Sequence, residues 1–155
     1  MRRTPVYSLR TATEAETERL GAALGARIRG GVSIAISGPL GAGKTVLVRG
    51  LCRGLDVEGD IVSPTFILLE MLDGRLPIAH LDLYRLEHER ELDEIGVFDL
   101  LGGDTVVLVE WGERSPSLLD AVDMAVRIDP DGVDARRIFI DATPEAAAAL
   151  GDQPW

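Results

Sequence analysis

Lys44 is the only lysine in this chain, and the other fifteen of its sixteen Lys and Arg residues are arginines. It stands in Gly38-Pro39-Leu40-Gly41-Ala42-Gly43-Lys44-Thr45, which has the spacing G-x-x-x-x-G-K-[ST]. Each residue type has a chemical reason to be there. Glycines let the main chain close into a concave nest whose N–H groups face an anion. A helix beginning at the lysine adds positive partial charge at the same point. The ammonium is a compact charge that can bridge terminal phosphates, where a broad guanidinium fits less well. The threonine hydroxyl suits a hard cation such as Mg²⁺. By composition, the spacing arises by chance on the order of one time in a hundred or less. Gly38, Gly41, Ala42, Gly43, Lys44, Thr45 and the adjoining Val46 are therefore expected to hold a nucleotide. The alternative is a glycine turn with an incidental lysine. It accounts for the scarcity of lysine but not for where the one lysine sits.

Two carboxylates stand at the ends of apolar runs: Asp82 follows Leu76–Leu81 and Glu110 ends "TVVLVE". Alone, each reads as a strand end or loop cap. Beside a phosphate loop, each is a candidate cation partner or water-orienting group. His80 precedes an apolar position near a strand end and reads as a packing or hydrogen-bonded residue rather than a base. Guanine is commonly read by N-K-x-D. The chain has no asparagine and its lysine is committed, so ATP is the expected nucleotide.

These groups need strands and helices to hold them. "VSIAIS" (32–37) has the β-rich, continuous apolar character of a buried parallel strand feeding the loop, and a helix is expected from Lys44 to Leu55. "TVVLVE" (105–110) is a second buried strand. "VYSL" (6–9) reads as a short strand. Thr13 and Glu16 have capping-box spacing ahead of Leu20, Leu24 and Ile28, one face of a helix ended by Gly30-Gly31. Phe66–Met71 and Leu76–Leu81 flank the turn signal "LDGR". Residues 87–103 read as a charged helical stretch. "DMAVRID" and "RRIFIDA" flank a turn. Alternating strands and helices predict an α/β fold, a three-layer sandwich of the phosphate-loop NTPase type, with a mainly parallel central sheet and some antiparallel edge strands. A single domain over 1–155 is expected, with 143–155 a C-terminal helical turn and a frayed tail.

Composition narrows the function further. The chain has 155 residues and a net charge of −10, so a nucleic-acid or anionic-membrane surface of its own is not expected. Cys52 is alone, which excludes an internal disulfide and suits a reducing cytoplasm. It should be buried and inert. Two arginines near the N-terminus are not followed by an apolar run, so no signal peptide is expected, nor a transmembrane segment.

"SPTF" (63–66), "HLDLYRL" (80–86) and "VLVEWGER" (107–114), together with "GPLGAGKT" and in this order, resemble the TsaE family of small P-loop ATPases. The resemblance runs from about Glu16-Thr17 to at least Arg114. That family works in bacterial tRNA threonylcarbamoyl-adenosine modification. The resemblance implies ATP and Mg²⁺ as cofactors. Thr45 would bind the cation, with Glu110 in the place of a Walker B acid and Asp82 as a magnesium-shell or water-orienting carboxylate. Ser63 and Thr65 would belong to a switch closing on the γ-phosphate, and Trp111 follows the acid as in the family. The adenine side is expected between Thr11–Thr13 and Asp134–Arg136. Lys44, Asp82 and Glu110 are the expected catalytic set. Departures from the pattern are Val46 for a second threonine, the missing tyrosine near Glu70, and Gly112 where proline is common.

The resemblance further implies action with a TsaD–TsaB pair, which performs threonylcarbamoyl transfer to tRNA, with tRNA met only indirectly and no membrane. Turnover is expected to be slow alone and completed by partners. Two other readings stay open: a nucleotide-gated binding module in which occupancy rather than hydrolysis is the signal, and a small-molecule kinase.

Overall fold

The computed structural model describes residues 2–62 and 67–151. Seven strands form one sheet: β1 (Thr4–Thr11), β2 (Ser33–Ser37), β3 (Leu69–Asp73), β4 (Pro77–Asp82), β5 (Val106–Glu110), β6 (Met124–Pro130) and β7 (Arg136–Ala142). Their order across the sheet is β1-β7-β6-β2-β5-β4-β3. The four central strands, β6-β2-β5-β4, run parallel, and antiparallel pairs lie at both edges, β3 on β4 and β7–β1 on β6. This is the α/β architecture the pattern predicts.

Side chains alternate along each strand and so divide the interior in two. Ile34, Ile36, Ile78, Leu108, Val126 and Ile138 face α1 (Glu14–Arg27) and α2 (Lys44–Gly54). Ala35, Ala79, Leu81, Val107 and Val109 face the other side, under α3 (Arg90–Glu94), α4 (Val97–Leu100) and α5 (Pro116–Ala121). β2 and β5, at the centre of the parallel strands, are buried along nearly their whole length, which is why they read as unbroken apolar runs.

α1 begins as its sequence prescribes, with the Thr13 hydroxyl accepting from Glu16 N at 3.1 Å. It then crosses α2 backbone to backbone. A Cβ on Gly21 would stand 2.5 Å from the Leu47 carbonyl oxygen and 2.9 Å from Gly50 Cα, and Gly25 and Gly54 repeat the contact one turn on. The helix carrying Lys44 is thus seated on its neighbour without side chains between them. Leu47, Val48, Leu51 and Cys52 of the same helix are fully buried. Each of the larger ones adds about 1.5–3 kcal/mol of burial to that seat.

The charged stretch over 87–103 is two short helices. They are separated by Gly96, whose left-handed backbone (φ 74°) breaks the run. α5 is an element the sequence reading did not single out. It starts from Ser115, whose hydroxyl accepts from Leu118 N, with proline at its first turn. The C-terminal α6 (Pro144–Leu150) is capped by Thr143 and tied down at its end. Tyr7 donates to the Gly151 carbonyl and Arg27 to that of Leu150.

Candidate functional site

β2, β5 and β4 end side by side, with Ile36 opposite Glu110 and Glu110 opposite Asp82. The loop from β2 to α2 arches over these carboxyl ends, the position where open parallel sheets bind ligands. A cavity of about 450 Å³ opens there, within the range of small-molecule sites.

Gly38 must be glycine because a Cβ would run into the Ile128 carbonyl oxygen. Its N–H donates to Glu113 Oε2 at 3.1 Å. Gly43 starts α2 with φ 100°, a left-handed backbone that turns the loop into the helix. Lys44 Nζ donates to the carbonyls of Gly38 at 2.7 Å and Pro39 at 2.8 Å, and lies 3.8 Å from the Trp111 ring centroid. Only 5% of Lys44 is exposed. Burial pushes its ammonium below the usual lysine range, against the pull of Glu113, Glu110 and Asp82.

The Thr45 hydroxyl donates to Glu110 Oε1 at 2.7 Å, and His80 Nε2 meets Glu110 Oε2 at 2.7 Å. Both carboxyl oxygens of Glu110 therefore have a protein partner before any ligand arrives. Asp82 Oδ1 accepts from Tyr84 N at 2.9 Å. Trp111 adopts a left-handed backbone, φ 59° and ψ 42°, which costs a bulky residue roughly 1–2 kcal/mol. That bend carries its ring across the lysine. Tyr84 packs on it at 4.9 Å, and the Arg114 guanidinium lies 5.4 Å from the Tyr84 ring and 5.6 Å from that of Trp111.

The donor set suits Mg²⁺ shared with phosphates. It supplies a hydroxyl and two carboxylates, all oxygen donors, and Mg²⁺ characteristically keeps waters and takes one or two carboxylates plus substrate phosphates. Among the described residues no three His, Cys, Asp or Glu side chains converge to hold a metal by themselves.

Of the residues expected from sequence, Gly41, Gly43, Lys44, Thr45, Val46, Asp82, Glu110, Trp111 and Arg136 line the cavity. Gly38 and Ala42 lie behind it and shape the loop. Ala42 is fully buried, and its carbonyl accepts from Arg136 Nε at 2.7 Å. Arg136 also donates to the carbonyls of Gly41, Val133 and Ala135. Its guanidinium braces the loop through these carbonyls. Thr11 and Thr13 stand outside the lining. Thr11 is buried with its hydroxyl 2.6 Å from that of Thr17, and Thr13 caps α1. The wall is made instead by Glu14 and Thr17 of the same segment, with Asp134 and Arg136 opposite. Proximity in sequence marked the segment, and the helical turn selects which of its residues face inward. Ser63 and Thr65 lie outside the described residues. Tyr84 and Glu113 are further contributors, and they lie in the segments "HLDLYRL" and "VLVEWGER".

Against protein-family models, residues 11–138 match the family described as "Threonylcarbamoyl adenosine biosynthesis protein TsaE". The chain belongs to the TsaE family. Among curated TsaE relatives, the tRNA threonylcarbamoyladenosine biosynthesis protein of Mycobacterium leprae is 40% identical over 123 residues, 74% of this chain and 76% of that protein. The protein of the same name from Treponema pallidum is 39% identical over 119 residues, 76% of this chain and 88% of its own length. Among solved structures, that of YdiB from Bacillus subtilis matches with a TM-score of 0.77 and 25% identity, over 97% of this chain and 93% of YdiB. The TsaE match thus spans the phosphate loop, Asp82, Glu110 and Arg136. Among the described residues of this TsaE protein, no helix is long and apolar enough to cross a membrane.

Proposed function

We propose that the chain binds ATP with Mg²⁺ and hydrolyses it as a component of tRNA threonylcarbamoyladenosine biosynthesis. It would act in the cytoplasm with TsaD- and TsaB-type proteins, which would transfer the threonylcarbamoyl group to tRNA. The observation that carries this reading is the Thr45–Glu110 contact at the mouth of the phosphate loop, beside a buried Lys44.

The loop amides from Gly41 to Thr45 are the donors for the phosphates, and Lys44 adds the fixed positive charge. The Gly38 and Pro39 carbonyls hold that ammonium in place, so little reorganisation is needed when anionic oxygens arrive. The Thr45 hydroxyl hydrogen points to Glu110, which turns its lone pairs away from Glu110 for a cation. Thr45, Glu110 and Asp82 would hold Mg²⁺, which when bound supplies charge neutralisation to the phosphoryl oxygens. Glu110 has remaining lone pairs for hydrogen bonds from coordinated water. Asp82, fixed by Tyr84 N, orients water at the same edge. The net charge of −10 makes this chain a poor tRNA holder and leaves the basic surface to its partners.

The test is phosphate release from ATP by the purified protein, alone and with TsaD and TsaB from the same organism. Slow release alone, faster with the partners and abolished in Lys44→Ala, is the expected result. Fast release that ignores the partners would detach the site from this pathway, and phosphate found on an acceptor molecule would favour a kinase. Asp82→Ala should retain nucleotide while losing about 10²-fold in turnover. If modification survives that loss, occupancy rather than hydrolysis is the signal.

A further inference from the structure

His80 has no part in the scheme above, yet it is completely buried and within hydrogen-bonding distance of the carboxylate on which the scheme depends. We propose that His80 is a positioning residue: it fixes the rotation of the Glu110 carboxylate, and through it the direction of the Thr45 hydroxyl. The inference rests on the ATP–Mg²⁺ reading of the site.

The register explains how His80 reaches. Its Cα partner on β5 is Leu108, so Glu110 is the diagonal neighbour two residues on and on the same face of the sheet. A carboxyl group turns about a broad torsion with two equivalent settings. One donor on one oxygen leaves that rotation loosely defined. Here Thr45 occupies Oε1 and His80 occupies Oε2, each at 2.7 Å, and the plane of the carboxylate is set from both ends. A carboxylate oxygen accepts, so the hydrogen belongs on Nε2. Nδ1 is buried with no hydrogen-bond partner among the described residues. An imidazole kept for packing alone would carry that desolvated nitrogen to no purpose, whereas leucine fills such space freely. The contact with Glu110 is what makes an imidazole fit this position.

Three variants separate the roles. Gln places its amide nitrogen as many bonds from the backbone as Nε2, Asn is too short to reach Glu110, and Leu fills the space without a donor. The primary measurement is binding of a fluorescent ADP analogue as MgCl₂ is titrated, with circular dichroism to confirm folding. His80→Asn and His80→Leu should raise the half-saturating Mg²⁺ by about tenfold, the low end for losing a hydrogen bond to a charged group. Binding without Mg²⁺ should change less than about twofold, and His80→Gln should stay within about threefold of the parent. Where the Leu variant fails to fold, Asn against Gln decides, both being polar. A folded Asn variant with the parent's Mg²⁺ dependence, or a Gln variant as impaired as Asn, overturns the inference alone. A parent chain with no Mg²⁺-dependent nucleotide binding overturns the ATP–Mg²⁺ reading and this inference with it. In the free protein, imidazole nitrogen NMR should show the hydrogen on Nε2, and a hydrogen on Nδ1 instead would overturn the proposal without any ligand.

Discussion

The two faces of the sheet are held by different means. On one, α1 and α2 run for 14 and 11 residues and touch through the main-chain surfaces of Gly21, Gly25, Gly50 and Gly54. On the other, α3, α4 and α5 have five, four and six residues. Helices that short do not stand on propensity. α3 and α5 are tied by side-chain hydrogen bonds: Glu89 accepts from Ser115 and Ser117, and Glu91 from the main chain of Glu87 and His88. Both faces bury apolar side chains, but the first joins its helices main chain to main chain, whereas the second adds hydrogen bonds to groups that titrate. The site draws on both. Lys44 and Thr45 start the glycine-packed helix, whereas Trp111 and Arg114 belong to the segment leading to α5. The phosphate loop is thereby bordered by residues that belong to the second face.

The largest expected effect tests the shape-defined face. Gly50→Leu would drive a side chain into the Glu18 carbonyl and Gly21 Cα, with main chain on both sides and nothing flexible to yield. A loss of ~3 kcal/mol or more is expected, or failure to fold, read by chemical denaturation. Glu94→Ala, at an exposed position of α3, should stay within about 0.5 kcal/mol. If Gly50→Leu were as mild as Glu94→Ala, the contrast between the faces would be mistaken.

A smaller effect probes the tied face. The Ser115 hydroxyl donates to Glu89 Oε1 at 2.6 Å and accepts from Leu118 N at 3.2 Å, so it joins the start of α5 to the segment ahead of α3. Ser115→Ala should cost about 1 kcal/mol, the usual cost of a lost helix cap. That is roughly 2–4 °C in Tm for a chain of this size. A scanning-calorimetry Tm unchanged by the substitution would show that α5 is held by Leu118 burial alone.

What sequence could reveal follows the same division. β2, the phosphate loop, α2 and β5 were legible because their signals are local: an apolar run, a glycine spacing, a lysine. The glycine crossing was not. Gly21, Gly25, Gly50 and Gly54 take their meaning from two helices that share them, and no single helix's sequence carries that pairing. Arg136 was expected on the adenine side, and charge alone could not show that its guanidinium is taken up by the carbonyls of Gly41 and Ala42. The 87–103 stretch read as one helical segment since charge pattern is blind to the backbone of Gly96. His80 read as packed or hydrogen-bonded, and only the register of β4 on β5 supplies the partner.

The smallest expected effect asks whether the tied face responds to pH. Hydrogen bonds from Ser115, and then from Ser117, hold the Glu89 carboxyl below the ordinary glutamate value of 4.5. A carboxyl depressed on folding adds stability above its unfolded pKa, and that stability is lost as pH falls through the folded value. Glu89→Gln should therefore be less stable than the parent at about pH 7, with the difference closing as pH drops below about 4.5. Glu94→Gln, a carboxyl on the same side of the sheet, supplies the reference for a general change of net charge. Thermal melts of the three proteins across that range make the comparison. A Glu89→Gln deficit that persists unchanged in acid would mean that the carboxylate's ionisation is irrelevant and that geometry alone joins α5 to its neighbour. The two faces would then differ in packing but not in kind.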